Sequence, residues 1–111
     1  MPPSRRQAKK IERKHGRVQI DLRLVVKAQT TLHGRTRNLA ESGMGATVAG
    51  ELPLGESVEL QFQLPGSSEP LVLRAEVRFR QGFHYGFKFI FPMEDQLQAI
   101  RSAIRDLPLE Q

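Results

Sequence analysis

Long stretches of this chain alternate apolar and polar residues with a period of two. The alternation is clearest from Val58 to Leu64 and recurs in residues 18–26, 71–80 and 83–91. Because successive side chains of a β-strand point to opposite faces, this period predicts strands that each bury one face. The chain is therefore expected to be built mainly from β-strands.

Turn-forming residues separate these segments. We predict two less regular strands at 30–37 and 44–48, a turn-rich loop at 38–45 and a hairpin turn at 81–82. The total is about six strands with short connections, which predicts an antiparallel barrel or sandwich.

The period becomes helical after Pro92. The apolar positions that follow are Leu97, Ile100, Ile104 and Leu107. Spacings of three and four place these side chains on one face of a helix. We predict a C-terminal helix over residues 93–107 that packs this face against the strands.

Aromatic residues occupy one phase of two neighbouring strands. They are Phe79 on one strand and Phe83, Tyr85, Phe87, Phe89 and Phe91 on the next. Since they share the apolar phase of their strands, we expect all of them to point into the core.

The composition excludes several classes of function. The chain has 111 residues, enough for one domain, and no cysteine, so it has no disulfide, thiolate metal site or cysteine nucleophile. Its three histidines lack ligand spacing, and no phosphate-binding glycine loop or carboxylate cluster occurs. We expect a binding module, not an enzyme, with no metal and no cofactor.

Positive charge is concentrated at the N-terminus. Residues 1–17 contain seven Lys or Arg and one Glu, whereas the other 94 contain ten cationic and eleven anionic side chains. We interpret residues 1–12 as a flexible basic arm that attracts phosphates or, alternatively, serves only solubility. Residues 13–107 form the predicted domain. With no apolar run near about 18 residues and no signal-peptide pattern, we expect no membrane span and a cytoplasmic location.

Two short segments carry candidate binding residues. Arg13 and Arg17 stand four positions apart before the first strand, where they can converge on one anion. Asn38 and Gly43 bound the segment NLAESG, in which Asn38 can bond a base edge and Gly43 can take a positive φ. Taken separately, each segment is equally compatible with a chance spacing or an ordinary turn.

Together, in their order and with the strands VELQFQLP, AEVRF and HYGFKF, these segments resemble the PilZ domain family. The resemblance covers residues 13 to about 107. It implies a six-stranded antiparallel β-barrel with a C-terminal α-helix that acts as a cytoplasmic cyclic di-GMP receptor. Arg13 and Arg17 match the family's R-x-x-x-R motif, and Asn38 and Gly43 match [D/N]-x-S-x-x-G, with Ala40 in place of its serine.

The resemblance also implies roles for these residues. Arg13 and Arg17 would bind guanine and phosphate, Asn38 would read a guanine edge, and Gly43 would shape the loop. Phe79 falls near a position where relatives often carry an aromatic residue, so it is a candidate to support a base, although its apolar phase favours the core. Ala40 lacks the hydroxyl that helps hold the ligand, and Ser42 is a candidate to replace it. Glu12 stands where some relatives carry an arginine that recruits a second nucleotide, which favours one nucleotide per site.

We expect ligand binding to order the N-terminal arm, so that an unknown downstream protein recognises the ordered arm and the ligand. One alternative is a degenerate PilZ-like adaptor that acts through protein contacts with weak or no nucleotide binding, as Ala40 suggests. Another is a barrel that binds single-stranded nucleic acid. Because its aromatic residues are expected in the core and not on the surface, nucleic acid is the less favoured partner.

Overall fold

The computed structural model describes residues 16–107, which form seven strands and one helix. The strands are β1 (Val18–Gln19), β2 (Arg23–Lys27), β3 (Thr31–Leu39), β4 (Gly43–Val48), β5 (Ser57–Phe62), β6 (Leu71–Gln81) and β7 (His84–Phe89). The helix, here α1, spans Glu94–Arg105, slightly shorter than the predicted 93–107.

Six of the strands close into an antiparallel barrel. Around the barrel the order is β2, β5, β6, β7, β4 and β3, and β3 pairs back onto β2. The short β1 is an additional strand that pairs with the end of β3. The prediction of a six-stranded antiparallel barrel with a C-terminal helix is confirmed, and the sandwich alternative is wrong.

The barrel interior holds the apolar phase of the strands. In β5 the buried residues are Val58, Leu60 and Phe62, and in β7 they are Tyr85, Phe87 and Phe89. The hydroxyl of Tyr85 is satisfied inside, because it donates to the carbonyl of Gly50 at 2.9 Å and accepts the Leu52 N–H at 3.0 Å. Period-two burial is thus the main cause of this fold.

The predicted strand at 18–26 is two strands. Thr36 on β3 is buried, and its hydroxyl donates to the carbonyl of Ile20 at 2.7 Å and accepts the N–H of Leu22 at 2.8 Å. These bonds take the place of ladder hydrogen bonds, so regular pairing stops between β1 and β2.

The predicted loop at 38–45 is also shorter than expected. Asn38 belongs to β3 and Gly43 to β4, which leaves residues 40–42 as the connection. The pairing of Leu39 with Met44, both buried, extends the strands into the predicted loop.

Helix α1 packs its apolar face on the barrel. Ile100 is fully buried in the main core, and Ala103, Ile104 and Leu107 are partly buried against it. The start of the helix is fastened by Gln96, which accepts the N–H of Met93 and donates to the carbonyl of Val72 on β6, both at 2.9 Å. Among residues 16–107, no helix is long and apolar enough to cross a membrane.

Candidate functional site

Strand pairing brings Arg17 and Asn38 together. The Nη1 of Arg17 donates to Oδ1 of Asn38 at 2.8 Å, and the N–H of Gly45 donates to the same oxygen at 2.8 Å. Arg17 directly precedes β1, whose Gln19 pairs with Asn38. Two residues that are 21 positions apart in sequence therefore form one hydrogen-bonded group.

Arg13, the other predicted arginine, lies outside the described residues. Within residues 16–107, the guanidinium group of Arg17 donates one hydrogen bond, to Asn38. No carboxylate in this part of the chain forms an ion pair with Arg17. A guanidinium has five N–H donors in a planar fork, which suits it to phosphate and to a guanine edge.

A β-bulge turns Asn38 to the outer face of the barrel. Thr36 pairs with Ala46 and Asn38 with Gly45, so Arg37 is an extra residue on β3. Thr36 points inward and is buried, and without the bulge the alternation would also turn Asn38 inward. With the bulge, Asn38 is half-buried and Arg37 exposed.

From Asn38, a row of paired residues crosses four strands on the outer face. Asn38 pairs with Gly45 on β4, Gly45 with Gly86 on β7, and Gly86 with Phe79 on β6. We call these four residues the cross-strand row. Adjacent strands are about 4.8 Å apart, so the row is about 14 Å long.

A second β-bulge turns Phe79 outward at the far end of this row. Val77 pairs with Phe87 and Phe79 with Gly86, which leaves Arg78 as the extra residue on β6. Phe79 is 53% exposed. Its predicted place in the core is therefore wrong, because the bulge reverses the alternation that would have buried it.

The two glycines in the middle of the row let the side chains at its ends pack against the backbone. A Cβ on Gly45 would lie 2.8 Å from Nδ2 of Asn38, and one on Gly86 would lie 3.0 Å from Cβ of Phe79. Side chains at these positions would crowd the residues at both ends. The side chains of Asn38 and Phe79 therefore lie against the backbone of these two strands, an approach that glycine permits.

The other motif residues support the turn beside this row. Gly43 does not have a positive φ, contrary to expectation; it is a strand residue paired with Lys88. It must be glycine because a Cβ would collide with the carbonyl oxygen of Phe87. Ala40 is 1% exposed, and its N–H donates to the carbonyl of Gly43 at 2.8 Å. The side chain of Ser42 is exposed.

Cationic side chains stand near both ends of the row. Arg17 and Arg37 are on the β3 side, and Arg78 is on the β6 side, where it lies 3.4 Å from the carboxylate of Glu76. Lys88 is exposed on β7, opposite Gly43. This distribution favours a ligand that carries more than one negative charge.

An ion pair connects the turn to helix α1. The carboxylate of Glu41 lies 3.1 Å from Nε of Arg101, and Arg101 also lies 3.8 Å from the carboxylate of Glu94. The side chains of Glu41 and Arg101 are about two-fifths exposed, at 40% and 41%. The helix is thus in contact with the connection that positions Asn38 and Gly43.

Sequence reasoning missed Gly45 and Gly86 as candidate site residues. A usable signal was present, since both glycines occupy polar positions of strands, where glycine often marks the close approach of a ligand. Phe79 was a candidate from the resemblance, but its apolar phase in the sequence favoured the core. Among residues 16–107, no group of three or more His, Asp or Glu side chains is placed to hold a metal ion.

Comparison with known proteins gives one family. The family model for the PilZ domain matches residues 5–106, which is most of the chain. None of the curated proteins matches the sequence.

Several solved structures share the fold. The PilZ domain of YcgR from Escherichia coli, solved with c-di-GMP, has a TM-score of 0.69 at 18% identity and aligns over 84% of this chain and 88% of its own. The PilZ domain of CeSA from a cellulose-synthesizing bacterium has a TM-score of 0.64 at 17% identity, over 80% and 94%. The Bacillus subtilis inhibitor of motility, MotI, has a TM-score of 0.68 at 20% identity over 82% of this chain. This chain spans about half the length of MotI, at 48%.

Proposed function

The chain belongs to the PilZ domain family, and we propose that it is a cyclic di-GMP receptor that binds the nucleotide along the cross-strand row. The observation that carries the proposal is the hydrogen bond between Arg17 and Asn38, which joins a residue of one family motif to a residue of the other. The two side chains lie together on the outer face, where they can bind phosphate and guanine. Cyclic di-GMP carries two of each.

Each end of the row offers a different interaction with the nucleotide. Arg17 supplies charge-assisted hydrogen bonds to phosphate and to the O6 and N7 atoms of guanine. Asn38, whose Oδ1 accepts hydrogen bonds from Arg17 and Gly45, would read a base edge with its amide group. At the other end Phe79 offers an exposed ring on which a base can stack, an interaction worth about 1–3 kcal/mol.

We also propose that the nucleotide level is coupled to a partner protein through the N-terminal segment. Residues 1–12, the expected basic arm, lie outside the described residues, as does Arg13. The coupling is supported by the seven cations of residues 1–17 and by the position of Arg17 at the site. Amide hydrogen exchange of residues 5–17 tests it, since exchange that stays equally fast at saturating nucleotide contradicts ordering.

One alternative is favoured by a specific observation. Ala40 has no hydroxyl to offer and is buried, and the exposed Ser42 is two residues away. If Ser42 does not replace the missing contact, the chain is an adaptor that acts through protein contacts with weak or no nucleotide binding. One neutral hydrogen bond is worth about 0.5–1.5 kcal/mol, so its loss weakens binding about two- to tenfold.

Isothermal titration calorimetry with cyclic di-GMP distinguishes the two functions. The receptor predicts saturable binding by the unmodified chain and a loss of at least about tenfold in affinity for Arg17→Ala, as expected when a charged hydrogen bond is removed. Ala40→Ser is expected to bind up to about tenfold more tightly. Cyclic di-AMP, which lacks the O6 acceptor of guanine, is expected to give little heat.

Arg105→Ala is the matched control for Arg17→Ala. Arg105 is an exposed arginine on helix α1 that bonds Ser102, so its removal changes the net charge equally and leaves the row intact. Equal losses for both variants would indicate a general charge effect and contradict the assigned site. An absence of heat with the unmodified chain at high micromolar nucleotide would support the adaptor.

A further inference from the structure

The end of β7 and the start of helix α1 expose an unusual segment. Phe91 is 94% exposed and Met93 66% exposed. Phe91 is also the one non-glycine residue within 16–107 with a positive φ, at 48°. Glu94 and Asp95 follow, with exposed side chains. We call Phe91, Met93, Glu94 and Asp95 the knob; it is apolar at its centre and acidic on one side.

Phe91 combines an exposed aromatic ring with an uncommon backbone conformation, and this combination needs an explanation. A phenylalanine with positive φ is rare, and a large apolar side chain that is almost fully exposed gains nothing from burial in the isolated chain. Together with Met93, Phe91 presents the kind of apolar anchor that dominates protein interfaces.

An apolar groove lies elsewhere on the outer face of the barrel. Its volume is about 380 Å³ and its surface is almost entirely apolar. It is lined mainly by His33, Arg35, Thr47, Val48, Ala49 and Phe83. Phe83, which was expected in the core, is 61% exposed at its edge.

Arg35, at the rim of this groove, belongs to a pair of cations that continues onto the neighbouring strand. Arg35 stands directly opposite Arg23 on the neighbouring strand, an arrangement of like charges that destabilises a sheet. One carboxylate compensates them, since Asp21 accepts Nε of Arg35 at 2.7 Å. A second carboxylate placed at the rim would relieve the remaining repulsion.

The knob cannot occupy the groove of its own chain. Phe83 precedes β7 and Phe91 follows it, and an extended segment of this length spans about 26 Å. The two features therefore lie at opposite ends of the barrel. An occupant for either one must come from another molecule.

We propose that the knob of one copy of this chain docks into the groove of a second copy. Phe91 enters the apolar groove beside Phe83, while Glu94 and Asp95 face Arg35 at its rim and Arg23 beside it. The pairing is supported by matching apolar surfaces, since an exposed apolar side chain meets an apolar groove, and by complementary charge, since an acidic flank meets the Arg23–Arg35 pair. It does not depend on the nucleotide.

Sedimentation velocity without nucleotide, between about 10 μM and 1 mM protein, tests the proposal. A contact of this small size predicts reversible self-association with a Kd of about 0.1–1 mM. Phe91→Ser is expected to weaken it at least about tenfold, as is Ala49→Glu, which fills the groove and repels the acidic flank. Both positions are exposed, so neither variant disturbs the core.

Mixing the two variants provides the decisive measurement. Ala49→Glu keeps its knob and Phe91→Ser keeps its groove, so the mixture is expected to form a heterodimer with the affinity of the unmodified chain. Ser102→Glu, which adds the same charge at an exposed position of α1, is expected to leave association unchanged. A chain that stays monomeric at 1 mM, or variants that do not complement each other, would overturn the proposal.

Discussion

β5 and β6 are neighbours in the barrel and begin with the same pattern. β5 buries every second residue from Val58 to Phe62, in continuous register with β6. β6 buries every second residue from Leu73 to Val77 and then shifts register against β7 before Phe79. The regular strand β5 thus places its apolar side chains only in the core. The bulged strand β6 also places apolar side chains in the core, but it exposes the ring of Phe79 to solvent as well.

β3 repeats the behaviour of β6 on the other side of the row. Its shift between Thr36 and Asn38 keeps the threonine in the core and turns the amide outward. Because the two bulges lie at the two ends of one row, they place both candidate contact residues on the same face. The comparison teaches that one extra residue per strand converts a core position into one on the outer face of the barrel.

The largest loss of stability is expected on removal of an aromatic ring that regular alternation buries in the core. Phe87→Ala removes a side chain that is 2% exposed in the core and is expected to lower the free energy of unfolding by about 3–5 kcal/mol. Urea denaturation measures this loss. A loss no greater than that of Phe79→Ala would contradict the distinction between the inward ring of Phe87 and the outward ring of Phe79.

A smaller loss is expected at the point where β3 leaves the regular pattern. Thr36→Val keeps the shape but removes the hydroxyl that bonds Ile20 and Leu22, leaving their backbone groups without this partner. We expect the free energy of unfolding to fall by about 1–3 kcal/mol. Thr47→Val, on the exposed side of β4, is the control and should be nearly neutral in the same urea titration.

Phe79→Ala tests the function of the outward ring. Since Phe79 is half exposed, the free energy of unfolding should change by less than about 1 kcal/mol. Its affinity for cyclic di-GMP should fall about five- to hundredfold if a base stacks on the ring. Phe83→Ala, an equally exposed ring outside the row, should leave calorimetric affinity unchanged, and equal losses would remove Phe79 from the site.

The smallest effect is expected for the link between the turn and the helix. Glu41→Gln removes the carboxylate that pairs with Arg101 at 3.1 Å. Because both side chains are partly exposed, we expect the unfolding free energy to fall by about 0.2–1 kcal/mol. Thermal denaturation at low and high salt measures it, and a loss that does not shrink at high salt would argue against an ionic contact.

The prediction from sequence was most accurate where one local rule governs the chain. The alternation in β5 and the helical spacing of α1 gave the correct elements, because burial of one face requires only that apolar residues recur at the right period. The motif residues Arg17 and Asn38 were also identified before their contact was visible. Phe79, Phe83 and Phe91 were wrongly assigned to the core by the same rule.

The amino-acid order alone determined the types of element, the apolar content of the barrel and the candidacy of Arg17 and Asn38 as site residues. Tertiary pairing decided which way Asn38 and Phe79 point and which glycines lie between them. The physical reason is that a bulge depends on the register between two strands, which no single segment contains. An inserted residue leaves the local composition unchanged while it reverses the face on which every following side chain lies.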